Sequence, residues 1–416
     1  MKVGRMKMSD LDTQQHPKVE IAVRNFGPIT EADIDLRPLT VLVGPGNTGK
    51  TCFSTLVYAL HGVFAELDMR SPEDVLRDTL QAELKNCFDL PSVSALRRLN
   101  GEKLPMEMTV ALKARAEDDK GDWCLKLTAP ASEWTLTREI AAGKEGISAK
   151  ALLNYFSGER YYLPAIRGGL IQQHGLIASS LIGRATRGGR FSEVSTFSAG
   201  MAEFLQRLIL YRPEKKMSNG DMHAIADALE ADILGGKILA RLSPTGYPDF
   251  RYRPQGMEEE MRLSRASAMV SELAPLVLFL RRGITPGDLL VIEEPEAHLH
   301  PHSQADMAVT LARLVRAGVK VMAMTHSDWL IEELSCLMLE GLLEGTKDKQ
   351  ASWLSPAEVG AWQFQKDAPV TEIPFELWGG IYPVDYGDVA ETQYNRMVNL
   401  QAQVENGEGG GTCESP

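Results

Sequence analysis

The 416-residue sequence holds three clusters whose residue types and spacing suit chemistry on phosphates. The first is Gly44-Pro45-Gly46-Asn47-Thr48-Gly49-Lys50-Thr51. Glycines let a backbone curl until successive N–H groups face one anion, and a helix starting there adds the positive end of its dipole. Lys50 would then reach the β- and γ-phosphates, and the Thr51 hydroxyl would sit on Mg²⁺. The second cluster is Leu289-Leu290-Val291-Ile292-Glu293-Glu294-Pro295, an apolar run that ends in paired carboxylates. Acids at the C-terminal end of a buried parallel strand lie where open α/β sheets bind ligands. Glu293 would hold Mg²⁺ directly or through water, and Glu294 would polarise the attacking water. The third is Thr325-His326-Ser327. An imidazole delivered to the same sheet edge would contact the γ-phosphate or that water. Lys50, Glu294 and His326 are thus the expected catalytic set, and Thr51 and Glu293 the expected metal ligands.

These residues need elements to carry them. Val19 to Phe26 and Glu31 to Leu36 read as strands joined at Gly27-Pro28 in a hairpin, the second alternating acidic with apolar residues. Leu39 to Val43, LTVLV, is a strand buried on both faces and leads straight into the glycines. Apolar spacing predicts helices from Thr51 to about Leu67 and from Pro72 to Leu84. Met106 to Leu112, Trp123 to Leu127 and Trp134 to Arg138 read as a small antiparallel meander. Tyr161 to Leu163 reads as a further strand, followed by helical stretches to about Leu234 and a weak strand pair around Ile238 and Phe250. From Leu263 the order is clear: helix to Arg282, strand 289–292, helix 304–315, strand 320–323, helix 329–339. Such alternation predicts an α/β fold with helices on the faces of a largely parallel sheet.

Composition narrows the class. Hydrophobic residues are 44% and charged residues 24%, as in ordinary globular proteins, which excludes collagen, a coiled-coil rod and disorder of the whole chain. The net charge of −12 disfavours non-specific wrapping of nucleic acid or adhesion to anionic membrane. Cys52, Cys87, Cys124, Cys336 and Cys413 are scattered, which fits reduced thiols in a cytoplasm rather than disulfides or a zinc site. Residues 1–18 lack a signal-peptide core, and the most apolar run, Leu273 to Leu280, is too short to span a bilayer.

GPGNTGKT, LLVIEEPEAHLHP and MAMTHS together resemble the ATP-binding-cassette class of P-loop ATPases, specifically the branch with SMC, RecF and OLD-type ATPases. The opening FGPITEADIDLRPLTVLVGPGNTGKT is similar to that branch as well. The resemblance covers residues 19–62 and 263–340. It implies a P-loop NTPase head with a mixed β-sheet flanked by helices, plus a helical and small antiparallel β insertion, using ATP and Mg²⁺. It also implies two heads sandwiching two nucleotides, each site completed by a signature serine from the opposite subunit. Ser267 matches that serine, with Ser264 as the second candidate; Ala268 and Met269 replace the two glycines usual after it. His300 falls where the family has an inter-subunit aspartate loop, with His298 and His302 beside it. Period-two spacing across a loop-to-helix junction favours dimer-contact or loop roles for the three over a metal site. Arg160-Tyr161-Tyr162-Leu163-Pro164-Ala165-Ile166-Arg167 resembles an OLD-type element, and leaves Arg167 either structural or near the nucleotide or partner head. Gln172 or Gln173 is the candidate for the glutamine that senses Mg²⁺.

The expected organisation is one head, residues 18–404, between tails at 1–17 and 405–416. Its parts are an N-terminal lobe (18–100), an inserted meander and helical region (101–262) and a C-terminal lobe (263–404). No long heptad stretch exists for an SMC-like arm. The residues after His326 contain no second compact carboxylate set of the kind a Toprim nuclease domain needs, so the effector is expected to be a separate polypeptide. The resemblance then implies an OLD-like ATPase that dimerises around ATP and gates a nuclease or toxin in antiphage defence. A RecF-like DNA-repair ATPase and a nucleotide-gated scaffold are the alternatives. Arg184, Arg187 and Arg190 form the best candidate contact for nucleic acid or an acidic partner.

Overall fold

A computed structural model of the chain describes residues 18–66, 71–98, 105–113, 123–129, 135–140, 155–186, 197–213, 220–243, 246–344 and 352–405. The expected tails at 1–17 and 406–416 lie outside these, as do Arg187 and Arg190 and the side chain of Arg184. Glu405, assigned above to the second tail, instead ends a helix.

Strands β1 (Lys18–Phe26) and β2 (Ile29–Leu36) form the expected hairpin, with Val19 opposite Leu36 and Phe26 opposite Ile29. Strand β3 (Leu39–Val43) is buried at every position and feeds the glycine loop, from which helix α1 (Lys50–Glu66) emerges, followed by α2 (Glu73–Phe88). Strands β4 (Met106–Lys113), β5 (Trp123–Ala129) and β6 (Thr135–Ile140) are the expected meander. They are continuous with the hairpin, because β4 pairs antiparallel with β1 and makes a five-stranded sheet, β2-β1-β4-β5-β6.

The chain then passes through β7 (Arg160–Leu163), α3 (Arg167–Thr186), α4 (Ala199–Ile209) and α5 (Gly220–Leu229). Strands β8 (Gly236–Leu242), β9 (Pro248–Pro254) and β10 (Met261–Arg262) form a three-stranded antiparallel sheet that contains the expected pair. The helix expected from Leu263 is interrupted. Residues 263–265 make one tight turn, Ala266 and Ser267 are extended, and α6 (Ala268–Arg282) starts only where the Ser267 hydroxyl accepts from the Val270 N–H at 3.4 Å. Strand β11 (Leu289–Glu293), α7 (Pro301–Arg316), β12 (Lys320–Thr325) and α8 (Asp328–Glu344) complete the alternation. Strands β13 (Val359–Gln363) and β14 (Thr371–Ile373) and helix α9 (Val384–Glu405) were not expected from the sequence.

The central sheet has six strands in the order β14-β13-β3-β12-β11-β7, parallel except for β14. Alternation of side chains divides it between two cores. Leu39, Val41, Val43, Leu290, Ile292, Val321 and Ala323 face a core shared with α3 to α8. Leu42, Leu289, Val291, Met322 and Met324 face the other, shared with α1, α2 and the N-terminal hairpin. Among the described residues, no helix is long and apolar enough to cross a membrane.

One buried group on α1 ties this second core to pH. His61 is 1% exposed, with its ring 5.9 Å from that of Phe156. Burial, with Lys320 and Arg160 nearby, pushes its pKa down from 6.5 to about 3. Its folded value therefore lies below its unfolded one, so its contribution is intact above pH 6.5 and is lost as pH falls toward 3. The expected slope from this group is roughly 1 kcal/mol per pH unit. Urea unfolding between neutral and mildly acid pH should show a shallower loss of stability for His61→Leu than for the parent; identical slopes would refute this account.

Candidate functional site

Parallel pairing brings the three clusters to one edge of the sheet. Val43 lies opposite Thr325, and Glu293 opposite Met324, so the chain leaves β3, β12 and β11 on the same side. The result is a cleft of about 380 Å³ lined by Gly46, Asn47, Gly49, Lys50, Thr51, Glu293, Glu294 and His326, with Pro28, Cys52 and Met324 completing its wall. Gly44, Pro45 and Thr48 form the base of the loop. Gly44 has φ +131°, and a Cβ there would meet the Phe364 carbonyl oxygen at 2.1 Å, so only glycine fits between β3 and β13. Asn47, at φ +62°, turns the loop tip. The Thr48 hydroxyl donates to the Pro45 carbonyl at 2.8 Å and locks the curl.

Lys50 lies inside this curl. Its ammonium donates to the carbonyls of Gly44 (2.6 Å) and Pro45 (2.7 Å), places that phosphate oxygens would take over. Burial lowers its pKa to about 8 against the opposing pull of Glu294 and Glu296, which leaves it mostly protonated at neutral pH. His326 is held below its ordinary pKa by partial burial and by the Lys50 ammonium, so it is neutral at pH 7 and can accept a proton.

The two acids differ in environment. Glu293 accepts from the Tyr162 hydroxyl (2.6 Å) and from the Ala165 N–H (2.8 Å), one bond to each oxygen. Each oxygen keeps a further lone pair, and with the Thr51 hydroxyl on the same cleft this is the hard oxygen set that suits Mg²⁺. Glu294 has φ +43°, unusual for a residue with a side chain, and its N–H is tied to the Met324 carbonyl at 2.8 Å.

Arg167 explains that backbone. Its side chain is fully buried, which settles the alternatives left open above: it reaches the acidic pair from within the protein. It donates to the carbonyls of Glu293 (2.6 Å), Glu294 (2.9 Å) and Pro164 (3.2 Å), and its Nε donates to the carbonyl of Glu272 on α6. The Glu272 carboxylate lies 3.4 Å from the same Nε.

Sequence reasoning missed Glu296. Its Oε1 accepts from the Thr325 hydroxyl (2.8 Å) and the His326 N–H (2.7 Å), so it sets the strand end that presents the imidazole. Burial raises its pKa, and the Glu294 charge pushes in the same direction. The signal was present as the third acid of Glu293-Glu294-Pro295-Glu296. Tyr162, also missed, is marked only by its place on β7 beside β11.

Other expected residues lie elsewhere. Gln172 donates to the Ser271 hydroxyl at 2.8 Å, and neither it nor Gln173 lines the cleft, so neither occupies the expected Mg²⁺-sensing place. Ser264 and Ser267 are exposed and also outside the cleft. His300 caps α7, accepting from the His302 N–H at 3.4 Å, while His298 turns the preceding loop at φ +62°. Among the described residues, no group of three or more His, Cys, Asp and Glu is arranged to hold a metal ion.

Removing the Arg167 guanidinium should be costly, because it strands a buried carboxylate and several buried carbonyls. Arg167→Met is expected to lower unfolding free energy by about 3–5 kcal/mol in urea titrations. Arg167→Lys, which keeps the charge without the planar fork, should recover only part of it. A loss below about 1 kcal/mol for Arg167→Met would show that the clamp is dispensable.

Residues 212–331 match the family model described as an AAA ATPase domain, a stretch that includes Glu293, Glu294 and His326 but not the loop at 44–51. No curated protein matches the chain. Solved structures similar to it include an SMC head bound to the C-terminal winged-helix domain of ScpA, at 13% identity, covering 87% of this chain and 98% of that one, TM-score 0.46. The SMC head domain from Thermotoga maritima is also similar, at 13% identity, 87% and 100% coverage and TM-score 0.39. So is a Smc head domain with an extended coiled coil bound to the C-terminal domain of ScpA, derived from Pyrococcus furiosus, at 11% identity, 87% and 97% coverage and TM-score 0.42. With the phosphate loop and the acidic strand on one edge of a mixed sheet, the chain has the fold of a P-loop ATPase.

Proposed function

We propose that this chain binds and hydrolyses ATP in the cleft at the C-terminal edge of its central sheet, that two copies close around the nucleotide, and that this closure gates a separate effector protein. The observation that carries the reading is the meeting of Lys50, Thr51, Glu293, Glu294 and His326, from three sequence regions, around one 380 Å³ cleft. Backbone N–H groups of the glycine loop receive the phosphates, and Lys50 exchanges its carbonyl partners for phosphate oxygens. When bound, Mg²⁺ would be held by Thr51 and Glu293 and would offset phosphate charge. Glu294 orients and polarises a water toward the γ-phosphate, and neutral His326 contacts the same water or the phosphate.

Dimer closure is supported by the exposed position of Ser264 and Ser267 outside the chain's own cleft, as expected of a residue that completes a partner's site. A separate effector is supported by Leu377, Trp378 and Tyr382, large apolar side chains left in solvent, with Trp378 99% exposed. The role in defence rests on the sequence resemblance alone.

Lys50→Ala removes a charge-assisted contact to phosphate and should weaken ATP binding by about tenfold to a hundredfold in fluorescent-nucleotide titrations. Glu294→Gln should retain ATP, lose roughly 10²–10⁴-fold in turnover and accumulate as an ATP-bound dimer by light scattering. Unchanged turnover in Glu294→Gln would sink the site assignment, and a monomer at saturating ATP would sink the closure.

A further inference from the structure

A second cavity of about 600 Å³ opens between β7, α4 and the C-terminal end of α6. It shares no lining residue with the phosphate cleft. Three guanidinium groups line it, from Arg207, Arg212 and Arg282, against an apolar wall that includes Tyr161, Leu278 and Phe279.

Arg282 is the group the fold leaves incomplete. Its guanidinium lies beside Tyr211, 6.0 Å from the ring centroid, and its Nη1 is buried, closed to solvent and without a hydrogen-bond partner. A buried N–H left without an acceptor costs about 1–3 kcal/mol, so such groups call for an explanation. Arg212 is exposed and, among the described residues, donates to the carbonyl of its neighbour Tyr211, at 3.2 Å. Arg207 is held over the Tyr161 ring, its central carbon 4.1 Å from the centroid, with one nitrogen shared between the Glu159 carboxylate and the Arg160 carbonyl. The acid in the wall, Glu203, is already engaged by Arg160 and by the Tyr58 hydroxyl, each at 2.6 Å. Among the described residues, the cavity therefore presents cationic forks with no free carboxylate to answer them, in a chain whose net charge is −12.

Guanidinium forks match phosphate oxygens in charge and geometry. The volume falls within the range of roughly 300–1,000 Å³ typical of small-molecule sites, far more than inorganic phosphate needs. We propose that this cavity binds an organic phosphate of nucleoside-monophosphate size, its phosphate on Arg282 and Arg212 and its ring against the apolar wall. The site does not depend on what happens in the ATP cleft.

The test is calorimetric titration of AMP and of inorganic phosphate into the full chain carrying Lys50→Ala, which weakens the phosphate loop as a competing site. AMP should bind in the sub-millimolar range, at least about tenfold more tightly than inorganic phosphate. Arg282→Gln in that background should weaken AMP by at least about tenfold, and Arg212→Gln, an exposed change that leaves folding intact, by about threefold or more. Circular dichroism would confirm that both variants fold; if Arg282→Gln does not, Arg212→Gln carries the test alone. The proposal is overturned if AMP does not bind in the millimolar range, if phosphate binds as tightly as AMP, or if AMP affinity is unchanged in the folded arginine variants.

Discussion

The guanidinium of Arg167 sits in the protein interior, with its N–H groups spent on the carbonyl oxygens of Pro164, Glu272, Glu293 and Glu294. A buried cation is tolerable only when its donors are satisfied and a counter-charge is near, and here Glu272 supplies the charge while the carbonyls fill the fork. The geometry reaches beyond one residue. It joins the start of α3, the middle of α6 and the end of β11, and it holds Glu294 in a backbone conformation that side chains rarely adopt. The placement of the acidic pair against the phosphate loop depends on that clamp.

Around it the cleft is a balance of opposed charges in a partly dry space. Lys50 is drawn down by burial and up by Glu294 and Glu296, while partial burial and the lysine beside it keep His326 neutral. Glu293 is already committed to Tyr162 and Ala165, which fixes its orientation before any ligand arrives. Glu296, whose ionisation is discouraged by burial, acts through the backbone of His326. On the proposed reading, such preorganisation would favour charge development on a bound phosphate, because the groups would not need to reorganise.

Much of this was legible in the sequence. Continuous apolar runs such as Leu39–Val43 and Leu289–Ile292 can only be strands buried on both faces, and the glycine loop between β3 and α1 states its chemistry through its spacing. Gly44 is an instance with a steric reason, since β13 passes too close for a Cβ, but the strand responsible was not foreseen. Val359–Gln363 contains a glycine and a glutamine and is short, so its burial beside β3 depends on pairing rather than on its own pattern. Gln172, a candidate for the cleft from the resemblance, instead donates to the Ser271 hydroxyl, because which way a helix side chain faces is set by packing.

The sequence by itself determined the local elements and the identity of the chemical groups, because burial period, glycine spacing and strand-end acids are properties of neighbouring residues. Only the tertiary structure decided which groups share a site. Parallel pairing of β3, β12, β11 and β7 aligned ends that are hundreds of residues apart. Packing turned Arg167 inward as a clamp, made Glu296 a support for His326, and left Arg282 lining a second cavity with one of its nitrogens buried and unpaired. These outcomes are set by long-range contacts and desolvation, which no residue carries in its own neighbourhood.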